Sequence, residues 1–447
     1  MLTLTGCATY HPMPLDKAAV AKALVPPALA SIPIKAKEIH HPLLRSVNFD
    51  LRNGLNPDEA AILAVIANPK LRALRDKKGL AQAQLLQAGI LPNPTFSYSL
   101  DIPSAGVTAD TVKAYGLGLN YDIRSLITHA AKVAAAQSQV AAVDLDVAWQ
   151  EWQVAQGARL HCFRLAILNR QLAVARQEQK ELQKNIATLK RALNRGYVTV
   201  ISLSAAQATL HKVHTRLLTI AQQRQEERLA LNAALGLPPD QKVPIAASFK
   251  LSSRPLPTLK KLMHGIQQRR LDLLALKMGY QSQEARLREA ILAQIPKITI
   301  GFLHASDTTH VITTGFNVAI DLPIFDRNQG KIAMARATRQ QLFDEYISRL
   351  FTARADVARL LADMAAVRQR IKSVEASIAT QKNLVQVYHR ALLEGNADVL
   401  TYYNARDQLI SQTIALLTLK RHLADQTIAL EIAAGTYLDN REPKAVR

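Results

Sequence analysis

Few side chains in this sequence have the type and spacing to do chemistry, and the first of them is Cys7. It follows Leu4-Thr5-Gly6, the small-residue spacing of a lipobox, in which a signal peptidase cuts before the cysteine and leaves it for diacylation. Only six residues precede it, fewer than the charged and apolar regions of an export signal need. A plain buried or free thiol is therefore the competing reading. His211 and His214 stand three apart in a helical pattern, enough for two metal ligands, but no nearby carboxylate or cysteine completes a site. His304 and His310 flank a loop between two alternating segments, where solvated histidines are the bland reading. Gly116-Leu117-Gly118 lies inside a strand pattern and cradles no phosphate, and no Ser/His/Asp or Cys/His set has a meaningful spacing. No metal site, no cofactor and no enzyme is expected.

Composition narrows the class further. The 447 residues carry 56 Lys plus Arg against 35 Asp plus Glu, a formal charge of +21, with 5% aromatics, 17 glycines and two cysteines. Two cysteines exclude a disulfide framework, and Cys162, inside a helical pattern, reads as a small buried hydrophobe. The basic residues are spread along helical segments without a dense block interleaved with aromatics, so nucleic acid is not an expected partner. No apolar run approaches the roughly 20 residues of a spanning helix.

The elements that position these residues come in two copies. Arg191 to Gly236 aligns without a gap on Arg390 to Gly435 (390 − 191 = 199), with 14 of 46 positions identical. The same offset pairs Gly116 with Gly315, Asp122 with Asp321 and Lys132 with Lys331. The expected organisation is an anchor and extended tether over 1–56, marked by Pro12, Pro14, Pro26, Pro27 and Pro33. A first repeat over 57–240, a linker over 241–256, a second repeat over 257–435 and a tail over 436–447 follow.

Each repeat reads in the same order: a helix (roughly 58–90 or 257–294), two strands, a very long helix, a glycine turn and a returning helix. Phe96, Tyr98, Leu100 and Ile102 alternate with Thr95, Ser97, Ser99 and Asp101, a half-buried strand pattern. The predicted strands are 95–102 and 114–124, then 297–303 and 311–322. From Ser125 to Asn194 there is no proline and one glycine, Gly157, so an unbroken helix would span about 100 Å. Leu165, Leu168, Leu172, Ala175, Gln179, Leu182 and Ile186 step by three and four, the heptad spacing of antiparallel hairpins. The predicted fold is mainly α with a small β part: two αββα repeats whose long antiparallel coiled-coil hairpins form an α-barrel.

Four amphipathic strands cannot close a barrel, and an open edge cannot sit in lipid. Three copies would supply twelve strands, an allowed even number for an outer-membrane barrel, above a tunnel of twelve long helices. A homotrimeric conduit is expected on these grounds, with outer-membrane lipid as its surroundings.

The chain from about Gly54 onward resembles the outer-membrane efflux protein family, the TolC-like channels. The likeness rests on Leu55-Asn56-Pro57-Asp58-Glu59-Ala60, Ala67-Asn68-Pro69-Lys70-Leu71 and Asp321-Leu322-Pro323-Ile324-Phe325-Asp326-Arg327-Asn328. The hairpin-tip pattern appears as Gly196-Tyr197-Val198-Thr199 and, less faithfully, as Gly395-Asn396-Ala397-Asp398. The resemblance implies a trimer spanning outer membrane and periplasm that docks tip-first on a periplasmic adaptor and an inner-membrane pump. The lipobox-like start resembles the lipid-anchored branch of the family, with Cys7 as the anchor.

By the same resemblance, Gly196, Thr199, Gly395 and Asp398 form the periplasmic tip and its docking surface. Thr199 and Asp398 are also good N-caps, so each has a plain structural reading. Family members often carry acidic residues one and two turns further in, whereas this chain has Thr401 and Asn404, with Ser202 and Ala205 in the first half. The expected constriction is therefore Asp398 with Thr401, Tyr402 and Asn404, closed by hydrogen bonds and packing in place of a carboxylate gate. A coiled-coil scaffold remains the alternative, although it leaves four strands at equivalent repeat positions unexplained.

Overall fold

The computed structural model describes residues 9–27, 31–37, 39, 41–45, 47, 49–106, 109–246 and 255–438. Eleven α-helices and four strands order themselves as two related halves among these residues. The N-terminal segment carries α1 (Lys17–Leu24) and α2 (Ile32–Lys37). In the first half α3 (Pro57–Ala67) and α4 (Pro69–Gly89) lead into β1 (Thr95–Asp101) and β2 (Ala114–Asp122), then α5 (Arg124–Asn194) and α6 (Val200–Leu235). The second half runs α7 (Leu259–Met263), α8 (Ile266–Arg269), α9 (Leu271–Leu292), β3 (Ile298–Ser306), β4 (Ile312–Ile320), α10 (Gln329–Leu393) and α11 (Val399–Ala434).

Several boundaries differ from the sequence expectation. The helix expected over 58–90 is two helices, because Pro69 bars Asn68 from helical geometry. Asn68 sits at φ −65°, ψ 119° and caps α4 by accepting from the Lys70 N–H at 2.9 Å. The helix expected over 257–294 is three, interrupted at His264-Gly265 and Arg270. β3 runs three residues past the expected 303 because its pairing with β4 continues to Ser306↔Ile312. The other strands end one or two residues short of the expected limits.

The expected extended tether and tail are partly folded. Ile32 is fully buried, together with Leu55, against α3, Cys162 and Leu231. Residues 244–246 of the expected linker pair with the segment ahead of α3, through Leu55 N–H to Pro244 O at 2.8 Å and Ala246 N–H to Leu55 O at 3.1 Å. Tyr437 packs edge-on against the buried Trp152 at 4.9 Å between ring centroids. These short segments enter the fold because each carries an apolar side chain that the helices alone leave uncovered.

The long helices set the shape. At 71 and 65 residues, α5 and α10 extend about 105 and 100 Å. Their far halves pair antiparallel with α6 and α11, while α4 and α9 lie along their near halves. The heptad seam is dry where the sequence is apolar: Leu165, Leu168, Leu172, Ala175, Leu182 and Ile186 are buried. At its one polar step, Gln179 meets His214 of α6 at 3.1 Å. That contact gives one of the two spaced histidines a structural partner, and no group of three metal-binding side chains occurs among the described residues. Cys162 is a buried free thiol, and burial pushes its pKa up.

Candidate functional site

Two regions carry side chains whose exposure packing does not explain, one at each end of the long helices. The first is the sheet. Its four strands pair antiparallel in the order β1-β2-β3-β4, and neighbouring strands place like residues opposite one another. Phe96, Leu119, Phe302 and Phe316 form one continuous cross-strand row. Thr95, Asn120, Gly301 and Asn317 form the adjacent row, which faces the other way because side chains alternate along a strand. The sheet therefore has an apolar face and a polar face, and the apolar one is bare: Phe316 is 81% exposed. Its outer strands β1 and β4 have no second neighbour among the described residues. No helix among the described residues is long and apolar enough to cross a membrane.

The second region is the far end of the hairpins. α5 stops because Gly196 takes φ 76°, which lets Gly196 N–H reach Leu193 O and Tyr197 N–H reach Ala192 O, both at 2.9 Å. Gly395 at φ 77° closes α10 the same way, with Asn396 N–H on Ala391 O at 2.8 Å. These paired bonds satisfy orphan carbonyls in a conformation that an L side chain disfavours. Thr199 then caps α6, accepting from the Ser202 N–H at 3.3 Å. Asp398 occupies the N-cap position of α11 but makes no side-chain cap bond. Its carboxylate is exposed.

The constriction expected from the sequence separates into two layers. Thr401 and Asn404 are exposed, whereas Tyr402 and Tyr403 are buried at 7% and 4% exposure. Both rings pack between the hairpins against Leu182, Ile186, Ala206 and Val213. Tyr402 thus belongs to the packing behind Thr401 and Asn404 in this chain. Cys7 lies outside the described residues.

Sequence reasoning missed the polar contacts that join the two hairpins. Arg406 Nε lies 2.8 Å from Glu178 Oε1, Nη2 lies 2.9 Å from Oε2, and Nη2 also bonds Glu181. Arg406 Nη1 donates to the Tyr402 hydroxyl at 3.2 Å. Burial raises the Glu178 pKa against the opposing pull of Arg406. Burial likewise raises the Tyr403 pKa, which keeps its hydroxyl neutral. Further along, Gln171 reaches Thr418 at 3.0 Å and Arg164 reaches Asp425 at 2.8 Å. The only signal in the sequence was a polar residue at a helix face otherwise apolar, and it names no partner across more than 200 residues.

A third polar cluster lies between the ends and binds the terminal segments to the helices. Arg159 contacts Asp58 Oδ1 at 3.0 Å, bonds Gln156 at 2.7 Å and bonds Glu431. Leu438 N–H closes the cluster by donating to Glu431 Oε1 at 3.1 Å. Its groups are turned toward one another, so it reads as a clamp.

Comparison with known proteins agrees with this arrangement. Residues 63–237 and 262–436 each match the outer membrane efflux protein family, one match per half. The chain is 22% identical over 283 residues to the pyoverdine export outer membrane protein OpmQ of Pseudomonas putida, covering 60% of this chain and 58% of that protein. It is 22% identical over 278 residues to SilC of Salmonella typhimurium, described as a probable outer membrane lipoprotein, covering 59% of this chain and 60% of the other. The chain thus spans about three fifths of the length of these curated relatives. Its fold matches the crystal structure of CusC with a TM-score of 0.72 at 20% identity, over 89% of this chain and 97% of that one.

Proposed function

Since this chain belongs to the outer membrane efflux protein family, we propose that it is the outer-membrane channel subunit of a tripartite efflux or export system. It serves as a passive conduit across outer membrane and periplasm. The observation that carries this reading is the open four-stranded sheet with one bare apolar face. Unpaired backbone groups at a sheet edge cost several kcal/mol each in hydrocarbon. Joining β4 of one copy to β1 of the next removes the edges, and three copies close a twelve-stranded barrel. The Phe96-Leu119-Phe302-Phe316 row then faces lipid and the Thr95-Asn120-Asn317 row faces a wet lumen.

In that homotrimer α5, α6, α10 and α11 of three chains supply twelve helices for a tunnel about 100 Å long. The hairpin ends, with Gly196, Thr199, Gly395 and Asp398, meet a periplasmic adaptor that links the channel to an inner-membrane pump. Asp398, Thr401 and Asn404 narrow the pore, and Tyr402 holds them from behind. Cys7 carries the lipid anchor. Planar-bilayer recording of the purified full-length protein tests the conduit: discrete ion-conducting steps and heat-resistant trimers in outer-membrane extracts are expected. A soluble protein without conductance would overturn the reading.

A further inference from the structure

Where the inter-repeat linker crosses the first hairpin, α6 carries two arginines that no carboxylate neutralises. Arg224 and Arg228 stand one turn apart and are both half-buried. Arg224 Nε donates to Asn169 Oδ1 at 2.6 Å and Arg228 Nη1 to Pro239 O at 3.0 Å, and neither makes an ion pair among the described residues. Arg164, Arg216 and Arg406, on the same set of long helices, each face a carboxylate. The acids between the two arginines are engaged elsewhere: Glu227 meets His161 at 2.5 Å, and Glu226 accepts from Gln222 at 3.0 Å. Like charges one turn apart on a helix repel. The fold does not call for them, since the equivalent residues of the second half are Leu423 and Thr427 (423 − 224 and 427 − 228 both equal 199). There Leu423 is simply buried in the core with Met364.

Both arginines border a cavity of 520 Å³ whose wall is apolar: Leu165 of α5 is buried there, with Val243 and Ile245 of the linker packed against the same core. Lys242, exposed and without an ion pair among the described residues, brings a third cation to the rim. Asn232 holds the linker in place by donating to Pro238 O at 2.9 Å and Gln241 O at 2.8 Å, so the cleft is formed in advance. Guanidinium groups match the oxygens of carboxylate and phosphate, and an apolar wall with a few convergent polar groups is the anatomy of a small-molecule site. We propose that this cleft binds a soluble ligand carrying a carboxylate or phosphate group on an apolar body. The oxyanion takes Arg224, Arg228 and Lys242, and the body lies on Leu165, Val243 and Ile245. The site stands about 60 Å along α5 from the helix end beside the sheet. A bilayer with its headgroups is only about 40–45 Å thick, so with the sheet in the membrane, as the channel reading has it, no lipid headgroup reaches the cleft. A bound ligand ties the connection between the two repeats to the first hairpin.

The test titrates full-length protein in a non-ionic detergent with 4-fluorophenyl phosphate, followed by fluorine NMR. Saturable binding at one site per chain is expected, at least tenfold tighter than that of inorganic phosphate read by competition, and none is expected for 4-fluorobenzyl alcohol. Arg224→Leu/Arg228→Thr installs the residues that the second half carries at these positions, and it is expected to weaken the probe at least tenfold at unchanged melting temperature. Lys242→Glu, a change at an exposed position, is expected to weaken it at least fivefold and keeps the test decisive if the double variant fails to fold. The same affinity is expected after reconstitution into phosphatidylcholine or phosphatidylglycerol vesicles. No saturable binding, inorganic phosphate bound as tightly as the probe, or affinity unmoved by these substitutions would overturn the proposal. So would loss of binding in phosphatidylglycerol vesicles alone, because a lipid headgroup would then hold the site. Probe binding requires no conduction, so conductance recorded in parallel tests the channel reading separately.

Discussion

Arg406 and Glu178, on helices that belong to different repeats, meet side on through two N–O contacts of 2.8 and 2.9 Å with both side chains almost wholly buried. Glu181 of the same α5 face adds a second carboxylate to the guanidinium. A paired charge in such a site contributes little net stability, but removing one partner strands the other at a cost of about 3–5 kcal/mol. Arg406→Gln is therefore expected to destabilise the hairpin ends far more than the double change with Glu178→Gln. A double-mutant cycle read by thermal unfolding checks this, and additive effects would remove the coupling. In bilayers the single variant is expected to show longer or larger openings than the double variant, since its ends are less firmly joined.

Thr199 and Asp398 stand at equivalent positions, yet only Thr199 makes a cap bond. Thr199→Ala is expected to cost about 1 kcal/mol, whereas Asp398→Ala should leave stability within about 0.5 kcal/mol. In the proposed trimer the role left to Asp398 is electrostatic, with three copies around the pore axis attracting cations. Asp398→Asn is expected to weaken block of the channel by a divalent cation at unchanged melting temperature. An Asp398→Asn protein that melts several degrees lower with unaltered block would show that the residue acts as a cap after all.

His41 supplies a pH dependence with a definite sign. Its Nε2–H donates to Ala148 O at 2.9 Å, while Nδ1 accepts from the Leu43 and Leu44 N–H groups at 3.1 Å. That arrangement needs the neutral ring. Burial lowers its pKa below the ordinary value of about 6.5, outweighing the upward pull of the Ala148 bond and of Glu151. A depressed folded pKa means that the unfolded state binds more protons between the folded pKa and the ordinary one. The contribution is thus complete above about pH 6.5 and is lost as pH falls through the folded pKa. Hydrogen exchange is expected to show residues 41–45 loosening from α5 between pH 7.5 and 5, and His41→Gln should flatten the response.

Gly236 ends α6 at φ 68°, and a Cβ there would lie 2.6 Å from the Ala67 carbonyl oxygen and 2.9 Å from the Asn68 Cα. Both obstacles are backbone, so neither can swing away. Gly236→Ala combines left-handed strain of about 1–2 kcal/mol with overpacking of about 1–3 kcal/mol. The variant is expected to lose roughly 2–4 kcal/mol, read as a lower melting temperature. Gly157, where a Cβ would meet nothing within 4 Å, is the control: Gly157→Ala should be neutral or stabilising.

Much of the architecture was legible from local pattern. The 199-residue offset, the period-two strands and the glycine at each hairpin turn are statements about neighbours along the chain, and near neighbours obey fixed geometry. The breaks at Asn68 and Gly265 were harder to see, since apolar residues continue on both sides of them. The buried place of Tyr437 and of residues 244–246 was not visible, because short segments without periodicity take their structure from whatever apolar surface they cover. Tyr402 shows the same limit at the tip: its position on α11 was readable, but the neighbour its ring would meet was not.

Sequence alone determined the two halves and the alternating strands, because repeat and period are written one residue at a time. The tertiary structure decided which partners meet: Arg406 with Glu178, Arg159 with Glu431, Tyr402 behind Thr401 and Asn404. Those choices depend on how two hairpins of similar sequence lie against each other, a relation between surfaces that no spacing along the chain encodes. It also decided that the apolar row through Phe96, Leu119, Phe302 and Phe316 is continuous across all four strands, since register is a property of the sheet and of no single strand.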